Sequence, residues 1–150
     1  MADQSCVDFI KSFEGCKLTA YKDPGSKDGL PVTIGYGSIM YEDGSKIKLG
    51  DVITMQRAEQ LLNWEISKKA TVLSAMNLKL NANQFNAVLS FIYNCGIGAF
   101  NSSTLLKKIR INPNDTTIKS EFLKWVNNDG KVMSGLVKRR TAESALYFSN

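Results

Sequence analysis

Phe13-Glu14-Gly15-Cys16-Lys17-Leu18-Thr19-Ala20-Tyr21-Lys22-Asp23-Pro24-Gly25, followed by Pro31-Val32-Thr33-Ile34-Gly35-Tyr36-Gly37, is the stretch on which the fold turns. Lys17–Tyr21 and Pro31–Gly37 read as strands, because β-branched and aromatic residues alternate within them. Asp23-Pro24-Gly25 and Asp28-Gly29 between them are turn signals. Asp43-Gly44 before Lys46-Ile47-Lys48 suggests one more hairpin turn. A small, Gly-rich, antiparallel lobe of about three strands is therefore expected over residues 17–50. Just before it, residues 5–14 predict a short helix. Ser5 and Asp8 fit a capping box, Val7, Ile10 and Phe13 repeat at helical spacing, and Gly15 suits the position after the last turn.

Beyond the lobe the period changes. Thr54 caps a helical run to about residue 75, in which Met55, Ala58, Leu62, Ile66, Ala70 and Leu73 form an apolar stripe. Residues 83–95 are apolar on most sides, as in a buried central helix, and Asn86, Ser90 and Asn94 draw one polar line along it. Shorter helices are expected near 103–111, 116–127 and 135–147. Asp115 and Ser134 serve as caps for the last two, with breaks at Asn112-Pro113-Asn114 and Asp129-Gly130. The expected fold is α+β, in a single domain over residues 1–150. A β lobe (about 17–50), a long connecting helix (about 54–75) and a helical lobe (about 83–150) would enclose a cleft.

Composition narrows the chemistry. The chain has 150 residues, 43% hydrophobic and 22% charged, enough for a core without staples. It has no histidine. That excludes Ser-His-Asp and Cys-His nucleophiles and zinc sites of the HExxH kind, so proton transfer would run through carboxylates, Lys, Tyr or Cys. The net charge of +5 is uneven, with nine Lys/Arg against ten Asp/Glu in residues 1–75 and ten against four in residues 76–150. A basic second half improves solubility, and it also attracts an anionic polymer or surface. Cys6, Cys16 and Cys95 are odd in number and match no metal spacing, so free thiols are expected, with Cys16 and Cys95 as apolar filler. Cys6 could find a pairing partner if the protein is exported. Met1-Ala2-Asp3-Gln4 has neither a basic nor an apolar leader region, and no integral membrane segment is expected.

Three residues in the opening stretch carry candidate chemistry. Glu14 is expected at a helix end after Phe9, Ile10 and Phe13, where the macrodipole and apolar surroundings favour the neutral acid that a general acid must be. The plainer alternative is a surface Glu in a last turn. Asp23 opens a Pro-Gly turn, as Asp often does, or supplies the second carboxylate of a glycosidase pair. Thr33 on the next strand is explained by β-propensity alone.

Together, Phe13-Glu14-Gly15, Leu18-Thr19-Ala20-Tyr21-Lys22-Asp23 and Thr33-Ile34-Gly35-Tyr36-Gly37 closely resemble the signature of phage-type lysozymes, the glycoside hydrolase family 24 endolysins. Asn83-Gln84-Phe85-Asn86-Ala87 through Tyr93-Asn94-Cys95-Gly96 resembles that family's central helix. Phe100 with Ser102-Ser103-Thr104-Leu105-Leu106 is similar to the helix after it, and Gly135-Leu136-Val137-Lys138-Arg139-Arg140 with Glu143 and Tyr147 is similar to its C-terminal block. The resemblance implies a lysozyme-like muramidase without metal or cofactor. Its substrate would be the β-1,4 bond after N-acetylmuramic acid in peptidoglycan. Glu14 would be the general acid, Asp23 would stabilise positive charge or help activate water, and Thr33 would hold the attacking water, giving inversion. Ile39, Tyr93, Asn94 and Ser103 would bind substrate. Arg139, Arg140 and Glu143 would form a helix-anchoring charge network, with one arginine available to steady Glu14. The resemblance further implies a monomeric phage or prophage endolysin, or an antibacterial lysin. It would wait in the host cytoplasm for release by a pore-forming holin and then act on glycan strands at the cell wall.

The chain departs from the family in two places. The Asp23–Thr33 loop is longer than in the family's shorter members, and Ser38 stands where many members carry His. A lytic transglycosylase or a retaining enzyme of the same fold, and a non-catalytic wall-binding module, are the alternatives. Nucleic-acid binding is not expected, because aromatic-flanked basic repeats and a helix-turn-helix signature are lacking. Trp64 and Trp125 read as packing residues, and Lys107, Lys108 and Arg110 as a solvated helix face.

Overall fold

The computed structural model describes residues 2–150. In chain order the elements are α1 (Gln4–Lys11), β1 (Lys17–Tyr21), β2 (Thr33–Gly35), α2 (Met55–Ala75), α3 (Ala82–Cys95), α4 (Ile97–Ser102), α5 (Thr104–Ile111), α6 (Ile118–Phe122), β3 (Asn127–Asn128), β4 (Lys131–Val132) and α7 (Ser134–Tyr147). They fall into two compact units, one of Val7–Lys68 and the other of residues up to Cys6 together with Lys69–Asn150.

In the Val7–Lys68 unit, β1 and β2 pair antiparallel, with Lys17 opposite Gly35 and Tyr21 opposite Thr33 across a bulged register. The other edge of β1 takes bonds from residues 51–53, where Ala20 N–H donates to the Asp51 carbonyl and Ile53 N–H to that of Leu18, both at 2.9 Å. The expected third strand is not formed. Met40 and Lys46 make a single bridge, because Asp43 spends its carboxylate on Ser45 in a tight turn and the chain then leaves the sheet. Ala20, Ile34 and Ile47 pack with Leu61 of α2, flanked by Val32, Tyr41 and Ile53. Gly35 is required there. Its φ is +64°, and an added Cβ would lie 3.4 Å from that of Ala58.

The start of α1 also differs from expectation. Asp3, not Ser5, is the cap, and its carboxylate accepts from the Cys6 N–H at 2.9 Å and the Ser5 hydroxyl at 2.7 Å. The helix ends at Lys11 rather than Glu14. Phe13 and Glu14 continue it only as tight turns, donating to the Ile10 and Lys11 carbonyls at 3.1 Å. Gly15 is not in the left-handed conformation that its expected role required.

In the second unit α3 is the centre, and Ala87, Val88, Leu89, Phe91 and Ile92 are fully buried on it. Phe91 meets Phe100, Phe122 and Trp125 edge to face, with centroids 6.1, 5.9 and 5.4 Å away. The capping box of this chain lies at Asn81, whose side chain accepts from the Gln84 N–H while the Gln84 side chain accepts from the Asn81 N–H. Asn81→Ala is expected to lower stability by about 1 kcal/mol, read as a shifted denaturation midpoint with an unchanged slope.

Three boundaries were misplaced in sequence. Residues 97–102 form α4. The helix expected over 116–127 shortens to Ile118–Phe122, because Asp129 and Gly130 both take positive φ (51° and 75°) and turn β3 into β4 as a hairpin. Ser134 is the first residue of α7, whose cap position is Met133. Cys6 is the buried thiol, whereas Cys16 and Cys95 are half-buried, and all three are free. Lys108 is not a solvated cation. It pairs at 2.8 Å with Glu121, whose side chain is 4% exposed, and Lys124 joins from the next turn at 2.9 Å.

Candidate active site

Glu14, Asp23 and Thr33 all belong to the Val7–Lys68 unit, with Glu14 just before β1, Asp23 just after it and Thr33 the first residue of β2. Glu14 is half-buried, between the end of α1 and the first residue of β1. Lys11, the last residue of α1, pairs with Glu59 of α2, and its carbonyl accepts from the Glu14 N–H. Asp23 follows β1 by two residues, and Thr33 opens β2 directly opposite Tyr21.

The long loop between them closes on itself. Asp23 Oδ1 accepts from the Gly25 N–H at 2.9 Å, and the Asp23 N–H donates to the Gly29 carbonyl at 2.9 Å. Asp28 repeats the device, accepting from the Leu30 N–H at 3.0 Å and the Ser26 hydroxyl at 3.1 Å. Those two donors hold its carboxyl below its ordinary value. The additional residues therefore form paired Asx turns that end back on Asp23. Gly29 sits at the return with φ +74°, where a Cβ would meet the Lys22 side chain at 2.9 Å.

Tyr21 registers both acids. Burial pushes its hydroxyl above the ordinary tyrosine value, and the charges of Asp23 and then Glu14 push it further. Lys17 Nζ lies 4.6 Å from the centre of the Tyr21 ring. Sequence reasoning gave Tyr21 no role, although strand alternation places it on the side of the chain that Asp23 continues. Thr33 is 8% exposed. Its hydroxyl donates to the Pro31 carbonyl at 3.0 Å, so what it retains for a ligand is acceptor capacity. Ile39 lies in the same unit, 44% exposed. Between them, the Ser38 hydroxyl is buried and makes no hydrogen bond among the described residues.

The other expected binding residues lie in the second unit. Tyr93 is half-buried with Lys69 Nζ 5.5 Å from its ring centre. Asn94 is exposed near the end of α3. Ser103 is buried at the start of α5, where its hydroxyl accepts from the Leu106 N–H at 3.0 Å and donates to the Phe100 carbonyl at 2.7 Å. The line Asn86-Ser90-Asn94 is not solvated at its first two positions. Asn86 donates to Asp3, and Ser90 donates to Glu143 at 2.6 Å.

Glu143 is completely buried, bonded to Ser90, Arg139 and Arg140. Burial pushes its carboxyl up, and the two arginines and Ser90 pull it back. Arg139 donates to Ser90, and Arg140 donates to the Trp125 carbonyl at 3.1 Å and to Asn94. The Arg140–Asn94 bond had no counterpart in the sequence reading. Among the described residues no group of three or more Cys, Asp or Glu is placed to hold a metal ion.

The chain is 41% identical over 148 residues to an endolysin of Bacillus phage PZA, covering 97% of this chain and 54% of that relative. It thus spans about half the length of the Bacillus phage relatives it matches. Its structure resembles an endolysin from Escherichia coli O157:H7 phage FAHEc1, with a TM-score of 0.82, 33% identity, and coverage of 99% of this chain and 93% of the other. It also resembles the muramidase domain of SpmX from Asticaccaulis excentricus, with a TM-score of 0.81, 27% identity, and coverage of 100% and 99%. These neighbours share the lysozyme-like α+β fold expected from the sequence. Residues 11–143 match the Phage lysozyme family model, and the chain belongs to the phage lysozyme family.

Proposed function

We propose that this chain is a muramidase that hydrolyses the β-1,4 bond between N-acetylmuramic acid and N-acetylglucosamine in bacterial peptidoglycan. The observation that carries this is the position of Tyr21, which pairs with Thr33 between β1 and β2 and feels the charges of both Asp23 and Glu14. The names of the endolysin and muramidase relatives support the same activity.

In this mechanism the Glu14 carboxyl gives its proton to the glycosidic oxygen as the bond to the anomeric carbon breaks. The Asp23 carboxylate stabilises the positive charge that develops on the sugar. Thr33, its own proton held by Pro31, accepts a hydrogen bond from water and leaves that water a lone pair for attack on the opposite ring face. The water's proton passes to Asp23, and the anomeric carbon inverts. Side chains alone carry the reaction, with no metal or cofactor.

Residues 1–150 act as one lysozyme-like domain that binds glycan strands as a monomer. Among the described residues no helix is long and apolar enough to cross a membrane. The protein serves as a phage or prophage endolysin, or an antibacterial lysin, held in the host cytoplasm until a holin pore releases it to the wall. Product analysis of digested peptidoglycan tests the chemistry. Reducing muramic ends released first as the α-anomer are expected. Anhydro ends would mean a transglycosylase, and a first-formed β-anomer would mean retention.

A further inference from the structure

A cavity of about 380 Å³ opens in the second unit, and none of its lining residues comes from the Val7–Lys68 unit. The cap of α1, the end of α2 and the first turns of α3 all contribute to it. Leu80 and Phe85 supply apolar wall, and Asp3, Lys79, Asn81 and Asn86 supply polar groups. Asn77 and Lys79, on the segment between α2 and α3, take φ of +52° and +57°. That is left-handed backbone, which a lysine adopts only against the crowding of its Cβ. Strain of this kind persists where the surroundings impose it, and ligand sites are a common place for it.

What each polar group has left to offer is set by what it already holds. Asp3 Oδ1 accepts from the Ser5 hydroxyl at 2.7 Å, the Cys6 N–H at 2.9 Å and the Asn86 amide at 3.4 Å. All three bonds fall on one oxygen, so Oδ2 accepts nothing among the described residues. The Ser5 and Cys6 donors hold the carboxyl below its ordinary value, and among the described residues this anion has no ion-pair partner. Asn86 is 5% exposed. A carboxylate only accepts, so the Asn86 NH2 faces Asp3 and its Oδ1 is turned away, with no donor among the described residues. That oxygen is open to the cavity rather than sealed in the core. Asn81 Oδ1 is taken by the Gln84 N–H, which leaves the Asn81 NH2 and the Lys79 ammonium as donors.

The cavity thus holds two acceptors, one of them anionic, two donors, one of them cationic, and an apolar wall. The five residues from Asn81 to Asn86 set its donor and acceptor ends roughly 7–8 Å apart along α3, at about 1.5 Å per residue. An extended lysyl side chain sets its ammonium and carboxylate a similar distance apart, with an apolar stem between. A sugar hydroxyl can bond to any of these groups but cancels neither charge. Free lysine would bring a second ammonium to the Lys79 end, whereas the α-nitrogen of a peptide-bound lysine is an uncharged amide. We propose that this cavity binds a chain-terminal lysyl residue of a peptide, with its ε-ammonium on Asp3 and Asn86, its stem along Leu80 and Phe85, and its carboxylate on Lys79 and Asn81. The site does not depend on the muramidase reading, whose acids lie in the other unit.

Nα-acetyl-lysine carries that terminus, Nε-acetyl-lysine lacks the ammonium, and Nα-acetyl-lysine amide lacks the carboxylate. In an NMR titration of the intact protein, the Asn86 side-chain NH2 and Lys79 backbone signals are expected to shift saturably with the first ligand. Each capped form should bind roughly tenfold or more weakly. Asp3→Asn keeps a capping side chain for α1 but removes the negative charge. Lys79→Gln keeps most of the stem but removes the positive one. Each variant should weaken Nα-acetyl-lysine roughly tenfold or more. Equal binding of either capped form overturns the proposal, as does failure of the parent protein to saturate with Nα-acetyl-lysine. Parent affinity in either variant overturns it as well. The three ligands are compared on the parent protein, so the decision does not hinge on the folding of a variant.

Discussion

Glu14→Gln is expected to slow the clearing of purified cell walls by about 10²–10⁴-fold, the usual worth of a positioned general acid. Glutamine matches glutamate in shape, so the turn after α1, held by the backbone bonds of Phe13 and Glu14, should be unaffected. What disappears is a proton that can be delivered to the glycosidic oxygen as the bond breaks. Circular dichroism and co-sedimentation with walls should be those of the parent protein, which separates lost chemistry from lost folding or binding. Turbidity clearing at the parent rate by the Gln variant would remove Glu14 from the mechanism. A protein that neither folds nor sediments would instead make Glu14 structural.

Glu143→Ala should be the most destabilising single change away from the hairpin, at about 3–5 kcal/mol. The carboxylate is 0% exposed and bonded to two arginines that are 3% and 0% exposed. Its removal leaves two buried guanidinium groups without the carboxylate they share, and Ser90 loses its acceptor. Glu143→Gln preserves the shape and should cost less. Urea denaturation of the three proteins gives the ordering through the midpoints at a common slope. An Ala variant within 1 kcal/mol of the parent would show that the network contributes little to the fold.

The parts of the molecule that were legible in the sequence are those whose partners are near in the chain. Asp23 and Thr33 lie at the two ends of one hairpin loop, which its turn residues announced, and Glu14 stands just before the first strand of that hairpin. The stripe of α2 from Ala58 to Leu73 and the apolar girth of α3 likewise follow from spacing alone, whereas Met55, counted in that stripe, is exposed. Distant partners were silent. The line Asn86-Ser90-Asn94 marked a face of α3, but nothing in the spacing said that Asp3, Glu143 and Arg140 fill it.

Local competition explains the misplaced boundaries. Lys46-Ile47-Lys48 has strand composition, yet the Asp43 turn grants it one bridge only. Asp129-Gly130 looked like a break between helices because the segments beside it, Asn127–Asn128 and Lys131–Val132, are too short to show alternation. Lys108 looked solvated because its counterion, Glu121, arrives from another helix.

The partners of the first residues also bear on how the protein is made. Asp3 and Cys6 meet Asn86 at sequence separations of 83 and 80. On the ribosome, residues 7–68 form a continuous stretch that is complete early. Asp3 and Cys6 must wait for α3 before their side chains are satisfied. Residues 3–6 therefore stay open during synthesis until α3 is made, and a chaperone or a protease acting on nascent protein would meet them there.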